Sequence, residues 1–131
     1  FVYHAAHNEP LTIFGGGEQT RSFCDVRDTV VALDHLAGCP AARGEVVNVG
    51  NAQEISIRGL AELTIQRAES ASTLRFISYL EAYGEEFEDV THRRPVLDKL
   101  RALTGFAPQW SLNDTLDDLI ERERAKHLCV A

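Results

Sequence analysis

The sequence contains no methionine among its 131 residues. A complete translation product starts with one, so the expectation is a piece of a larger protein whose N-terminal part is absent. A processed terminus is the plainer alternative. Long apolar runs are also missing: none approaches the roughly 18 residues that a membrane helix needs, and no membrane partner is expected. Phe1 to His4 carries neither the basic start nor the apolar stretch of a secretory signal. Cysteine is scarce, and Cys24, Cys39 and Cys129 are odd in number, far apart and outside any CxxC or Cys/His ligand spacing. This excludes a disulfide framework and points to a reducing, cytoplasmic setting. Basic charge is in deficit, with 13 Lys and Arg against 20 Asp and Glu and a formal net charge of −7, which argues against a nucleic-acid partner. Catalytic signatures are absent as well. There is no GxGxxG, GxxxxGK[ST], GxSxG or HExxH.

What is present is an apolar fraction of 44%, ordinary for one folded domain, and an alternation of strand-like and helix-like pieces. Leu11 to Phe14 is a strand stopped by Gly15, Gly16 and Gly17, read as a left-handed turn. Ser22 to Val26 is a short extended piece. Asp28 caps a helix from Thr29 to Ala37 that ends at Gly38; it is apolar on most sides and so is expected to be buried. Glu45 to Val49 is a β-branched strand followed by a turn. Ile55 and Ile57 flank Ser56, which caps a helix from Arg58 to about Glu69. Leu74 to Leu80 reads as a strand and Glu81 to Asp89 as an acidic loop. Pro95 suits a first helical position, with Leu97, Leu100 and Leu103 on one face and Gly105 closing the helix. Ser111 and Asp114 have capping-box spacing and open a final helix, whose charged end from Glu121 onward forms a fraying tail. The fold class is therefore α/β, one lobe over residues 1–131, with short strands and about four helices. A sheet fragment with open edges wants a partner, and a homodimer is one solution.

Few residues suggest chemistry. Arg21 sits between the glycine turn and Phe23, where its planar fork can reach an anion; a surface ion pair is the ordinary use. Asn48 is a polar amide near the end of an apolar strand and needs a partner, in a ligand or in a neighbouring loop. Arg93 and Arg94 form a basic doublet after the acidic loop, suited either to phosphate or to neutralising those carboxylates. His4 and His7 have helical ligand spacing but no third ligand, so no metal site is expected. Tyr79 and Tyr83 lack the lysine four residues on that an acid/base tyrosine would need. No catalytic residue is assigned.

Four blocks carry a resemblance. Residues 10–28 read PLTIFGGGEQTRSFCDVRD, close to the pattern PLTVYGDGxQTRSFxYVxD. GEVVNVGN at 44–51, AYGEEFED at 82–89, and Arg93-Arg94-Pro95 with GFAP at 105–108 follow in the expected order. The chain resembles the nucleotide-sugar epimerase/dehydratase family, the extended short-chain dehydrogenases/reductases, over their C-terminal substrate-binding part. The NAD-binding glycine motif and the catalytic Tyr-x-x-x-Lys of that family lie upstream, in a Rossmann domain not found in these residues. Asp25 stands where the family has an aromatic, Val96 where it often has Asp, and Arg27 and His92 also depart from its pattern.

The resemblance implies roles for four residues. Arg21 contacts the diphosphate region, Asn48 helps hold the nucleotide, and Arg93, with Arg94 as the fallback, clamps the diphosphate. It implies that NAD in the parent enzyme takes a hydride from C4 of a UDP-sugar, while this chain alone binds no NAD and is inactive. The lobe would supply binding energy and orientation. The expected partners are a nucleoside-diphosphate sugar and the missing Rossmann part. The alternative is a non-catalytic nucleotide-sugar-binding or dimerisation module.

Overall fold

A computed structural model describes residues 1–84 and 89–128. The first of its two cores is built around strand β1 (Leu11–Phe14), whose alternating pattern buries Leu11 and Ile13 and turns Phe14 outward. β4 (Leu74–Ile77) pairs with β1 in parallel, Leu11 opposite Leu74. Helices α1 (Val2–Ala6), α3 (Ile57–Arg67) and α6 (Leu112–Leu128) bring Ala5, Ala61, Leu116 and Ile120 onto the buried side chains of β1. Ser56 caps α3 as its sequence predicts, its hydroxyl accepting the Gly59 N–H. Ser111 and Asp114 form the reciprocal capping box at the start of α6.

The second core is smaller. Helix α2 (Val26–Ala37) contributes Ala32, and α5 (Asp98–Thr104) contributes Leu100, with Leu97 and Phe106 beside them. Gly105 closes α5 at φ +67° and Phe106 tucks in behind it, as the C-terminal spacing predicts. Between the cores lies a three-stranded sheet. Its central strand β2 (Thr20–Ser22) is antiparallel to β3 (Glu54–Ser56) and parallel to β5 (His92–Arg93).

Several expectations are corrected. Helix α2 starts at Val26, because the carboxylate of Asp25 rather than Asp28 caps it by accepting the Arg27 N–H. Asp28 is instead buried and accepts the backbone N–H groups of Gln109 and Trp110, 3.0 Å each. Helix α2 is not buried either: Val26 is 71% exposed, and Val30, Val31 and Leu33 face outward with it. Only Asp28 and Ala32 of that helix are buried: α5 and the short turn Pro40–Ala42 pack against it, and its outward valines and Leu33 stay exposed.

Residues 45–49 form no ladder and run as extended, irregular chain, because no described strand lies alongside to accept their main-chain bonds. The extended piece read at Ser22 to Val26 lies one step earlier, at Thr20–Ser22. β4 stops at Ile77, where Ser78 caps the one-turn helix α4 (Tyr79–Tyr83), so Leu80 and Glu81 are helical. Residues 85–88 of the acidic segment, and Cys129, lie outside the described residues. Pro95 does not open a helix; α5 begins after Leu97, and the Pro95 ring packs against Gly50.

A polar hub joins the two cores. Arg27 grips Asp25 through Nε and Nη2 at 2.8 and 2.7 Å, and Thr115 on α6 donates to the same carboxylate at 2.8 Å. The Arg27 guanidinium also lies 3.5 Å over the Trp110 ring. Asp25 and Arg27 are two of the departures from the family pattern, and here they answer one another. The hydrogen bonds from Arg27 hold the Asp25 carboxyl far below the usual carboxylate range.

Candidate functional site

Register decides which arginines meet. Side chains that pair across a sheet share a face, and Arg21 of β2 pairs with Arg93 of β5. Arg94 lies one step past the end of β5 and comes within 4.0 Å of Glu54, which is on the opposite face of the sheet. That opposite face is a polar cluster: the Thr20 hydroxyl donates to Glu54 at 2.6 Å and contacts His92 Nδ1 at 2.9 Å. The Thr20 bond, and then His92 and Arg94, lower the Glu54 pKa.

Arg21, Asn48, Arg93 and Arg94 all line one cleft of about 730 Å³, with Phe23 and Pro95 in its walls. The cleft is the right size for a nucleotide-bearing ligand. Asn48 enters from the irregular 45–49 segment and donates to the Val96 carbonyl at 3.3 Å, so its amide ties the two walls together. Gly50 packs closely here: a Cβ would sit 3.2 Å from Pro95 Cγ, a tight contact with the ring. Cys24 also lines the cleft, and burial pushes its thiol pKa up, away from thiolate chemistry.

The four residues differ in what they are free to do. Arg21 already donates from Nη1 to the carbonyls of Thr20 (2.7 Å) and Val90 (2.8 Å), and from Nη2 to Asp89 Oδ1 (2.7 Å). Asp89 also accepts from the Tyr79 hydroxyl at 2.9 Å, and Gln19 donates to that same hydroxyl at 3.1 Å. Burial, and then the bond to Asp89, raise the Tyr79 pKa. Arg93 has no hydrogen bond or ion pair among the described residues. The neutralising role weighed for the basic doublet at 93–94 thus falls to Arg21, as far as the described carboxylates go.

The Asp89–Tyr79 tether was missed in the sequence. Tyr79 was visible only as a failed acid/base tyrosine, and no local signal links position 21 to position 89. The two histidines of helical spacing are engaged elsewhere: His4 Nδ1 contacts Glu9 and His7 Nδ1 contacts the Tyr3 carbonyl.

Residues 1–50 match the model of the NAD-dependent epimerase/dehydratase family. A UDP-N-acetyl-alpha-D-glucosaminuronate decarboxylase of Bacillus cytotoxicus is 30% identical over 125 residues, covering 92% of this chain and 37% of that protein. The chain is thus similar to the NAD-dependent epimerase/dehydratase family, through the model over its first 50 residues and through this relative over most of its length. Among solved structures of the family, UDP-glucuronic acid 4-epimerase from Bacillus cereus, in complex with UDP-glucuronic acid and NAD, is 25% identical. It superposes with a TM-score of 0.79 over 97% of this chain and 38% of its own. An epimerase from Methanothermobacter thermautotrophicus shares the fold at a TM-score of 0.81 and 24% identity, over 98% of this chain and 37% of its own. The chain therefore spans less than two-fifths of the length of these relatives. No described helix is long and apolar enough to cross a membrane.

Proposed function

We propose that this chain is the nucleotide-sugar-binding portion of an NAD-dependent nucleoside-diphosphate-sugar epimerase or dehydratase, located in the cytoplasm. The observation that carries this reading is the meeting of Arg21 and Arg93, 72 positions apart, on one face of the sheet beside Asn48. A diphosphate carries about two negative charges and favours converging guanidinium and amide donors. Arg93, the arginine without a partner among the described residues, is the principal clamp. Arg94 is secondary, since Glu54 competes for it.

The substrate is a UDP-sugar, by analogy with the relatives whose names carry one. In the complete enzyme NAD would accept a hydride from C4 of the sugar and return it. These residues contain no dinucleotide-binding glycine motif and no Tyr-x-x-x-Lys, so NAD and the acid/base tyrosine would be supplied by another part of the protein. What the described residues contribute is orientation of the diphosphate and sugar, which lowers the barrier by holding the reacting carbon in place. The outward apolar face of α2 is where that other part would pack.

Calorimetric titration of UDP-glucuronic acid into the purified chain tests this. Weak binding that is lost in Arg93→Ala and reduced in Asn48→Ala is expected. Absence of binding by the unaltered chain, or an Arg93→Ala variant that binds equally well, would overturn it.

A further inference from the structure

We propose that Asp89 is a positioning residue whose carboxylate, braced by Tyr79, sets the Arg21 guanidinium for the cleft. This rests on the nucleotide-sugar reading and adds a residue that the family pattern did not assign. Charge alone suggests the opposite role. A carboxylate 2.7 Å from Arg21 Nη2, beside a cleft meant for an anion, looks like a competitor that ligand must displace.

The geometry argues for a brace instead. Arg21 has five N–H donors. Two on Nη1 are fixed by the Thr20 and Val90 carbonyls and one on Nη2 by Asp89, leaving one on Nε and one on Nη2 without a partner among the described residues. The arginine side chain is therefore immobilised before any ligand arrives and still retains two donors. Asp89 is held in turn at its other oxygen by the Tyr79 hydroxyl, and that hydroxyl is held by Gln19 on the β1–β2 turn. The turn is shaped for this ring: Gly15 has φ +68°, and a Cβ on it would lie 2.7 Å from the Tyr79 ring. Three side chains from three separate segments, Asp89, Tyr79 and Gln19, thus form one hydrogen-bonded chain behind the guanidinium. Arg21 and Asp89 are each about a quarter exposed, so the pair is partly shielded from competing water. Ordering a long, rotamer-rich side chain beforehand removes a cost otherwise met on binding.

The two roles predict opposite signs. In titrations of UDP into the 131-residue chain, Asp89→Ala should weaken binding about fivefold, although it removes a negative charge from the cleft. Tyr79→Phe, which keeps the ring against Gly15 and loses only the hydroxyl, should weaken it about twofold. Both should broaden or shift the Arg21 Nε–H resonance in ¹⁵N spectra of the unliganded chain, a readout that general destabilisation does not predict. Equal or tighter UDP binding by Asp89→Ala, with the unaltered chain binding and Arg93→Ala failing to bind, would overturn the positioning role alone. Failure of the unaltered chain to bind UDP would overturn the underlying site assignment along with it. If Asp89→Ala does not fold, Tyr79→Phe decides: tighter or unchanged binding rejects the brace.

Discussion

The two cores of this molecule are finished to different degrees. Around β1, three helices and a parallel strand bury Leu11 and Ile13, while Phe14, Phe76 and Tyr83 on the outer side remain about half exposed. Around α2, the short helix α5 packs on one side, while Val26, Val30, Val31 and Leu33 stay in water. A helix apolar on most sides is ordinarily buried on those sides. The difference is one of degree: the first core buries two strand side chains fully, and the second leaves most of its helix in water.

The sharpest way to break the comparison is in the closed core. Leu11→Ala should cost about 3 kcal/mol in urea unfolding, because a fully buried leucine leaves a cavity its rigid neighbours cannot fill. The hub between the cores comes next. Asp25→Asn should cost about 2 kcal/mol, less than for a fully buried pair since Arg27 remains one-third exposed. The same variant carries a pH signature. The folded pKa of Asp25 is depressed, so its contribution is present above the ordinary aspartate value near 3.9 and is lost as pH falls below it. Thermal melts between about pH 6 and pH 3 should therefore show a shallower acid decline in Asp25→Asn than in the unaltered chain.

A smaller effect is expected at Asp28→Ala, about 1–2 kcal/mol, from freeing the Gln109 and Trp110 N–H groups. The smallest belongs to the open face. Val30→Ser should change the unfolding free energy of this chain by less than about 0.5 kcal/mol while raising its solubility limit. A loss as large as that at Leu11 would mean the outward face of α2 is covered within this chain, and the contrast between the cores would collapse.

The legibility of the sequence follows the same division. Local signals served well where local physics decides. Ser56, Gly105 and the Ser111–Asp114 pair are caps whose partners lie within three or four residues, and all form as read. The α2 boundary slipped because Asp25 and Asp28 are both good caps, and only the distant Gln109–Trp110 loop claims the second. The exposure of α2 and the unpaired run at 45–49 were illegible because apolar content reports what a segment needs, not whether its partner is present. At the site, the family blocks located Arg21, Asn48 and Arg93 in one cleft, yet the Arg21–Asp89 bond spans 68 residues and leaves no periodic trace.

The parallel pairing of β1 with β4 has a consequence for how the molecule comes into being. Leu11 must wait for Leu74, with β2, α2, β3 and α3 threaded between them. Closing so long a loop costs chain entropy before the contact repays it, and non-local pairings of this kind form slowly. During synthesis Leu11 to Phe14 therefore emerges as an unpaired apolar strand and stays so until Ile77 has left the ribosome. The helices α2 and α3, whose backbone hydrogen bonds are local, can form in that interval. The earliest-made strand of the chain is among the last to find its place, and through that interval it is the segment most in need of a chaperone.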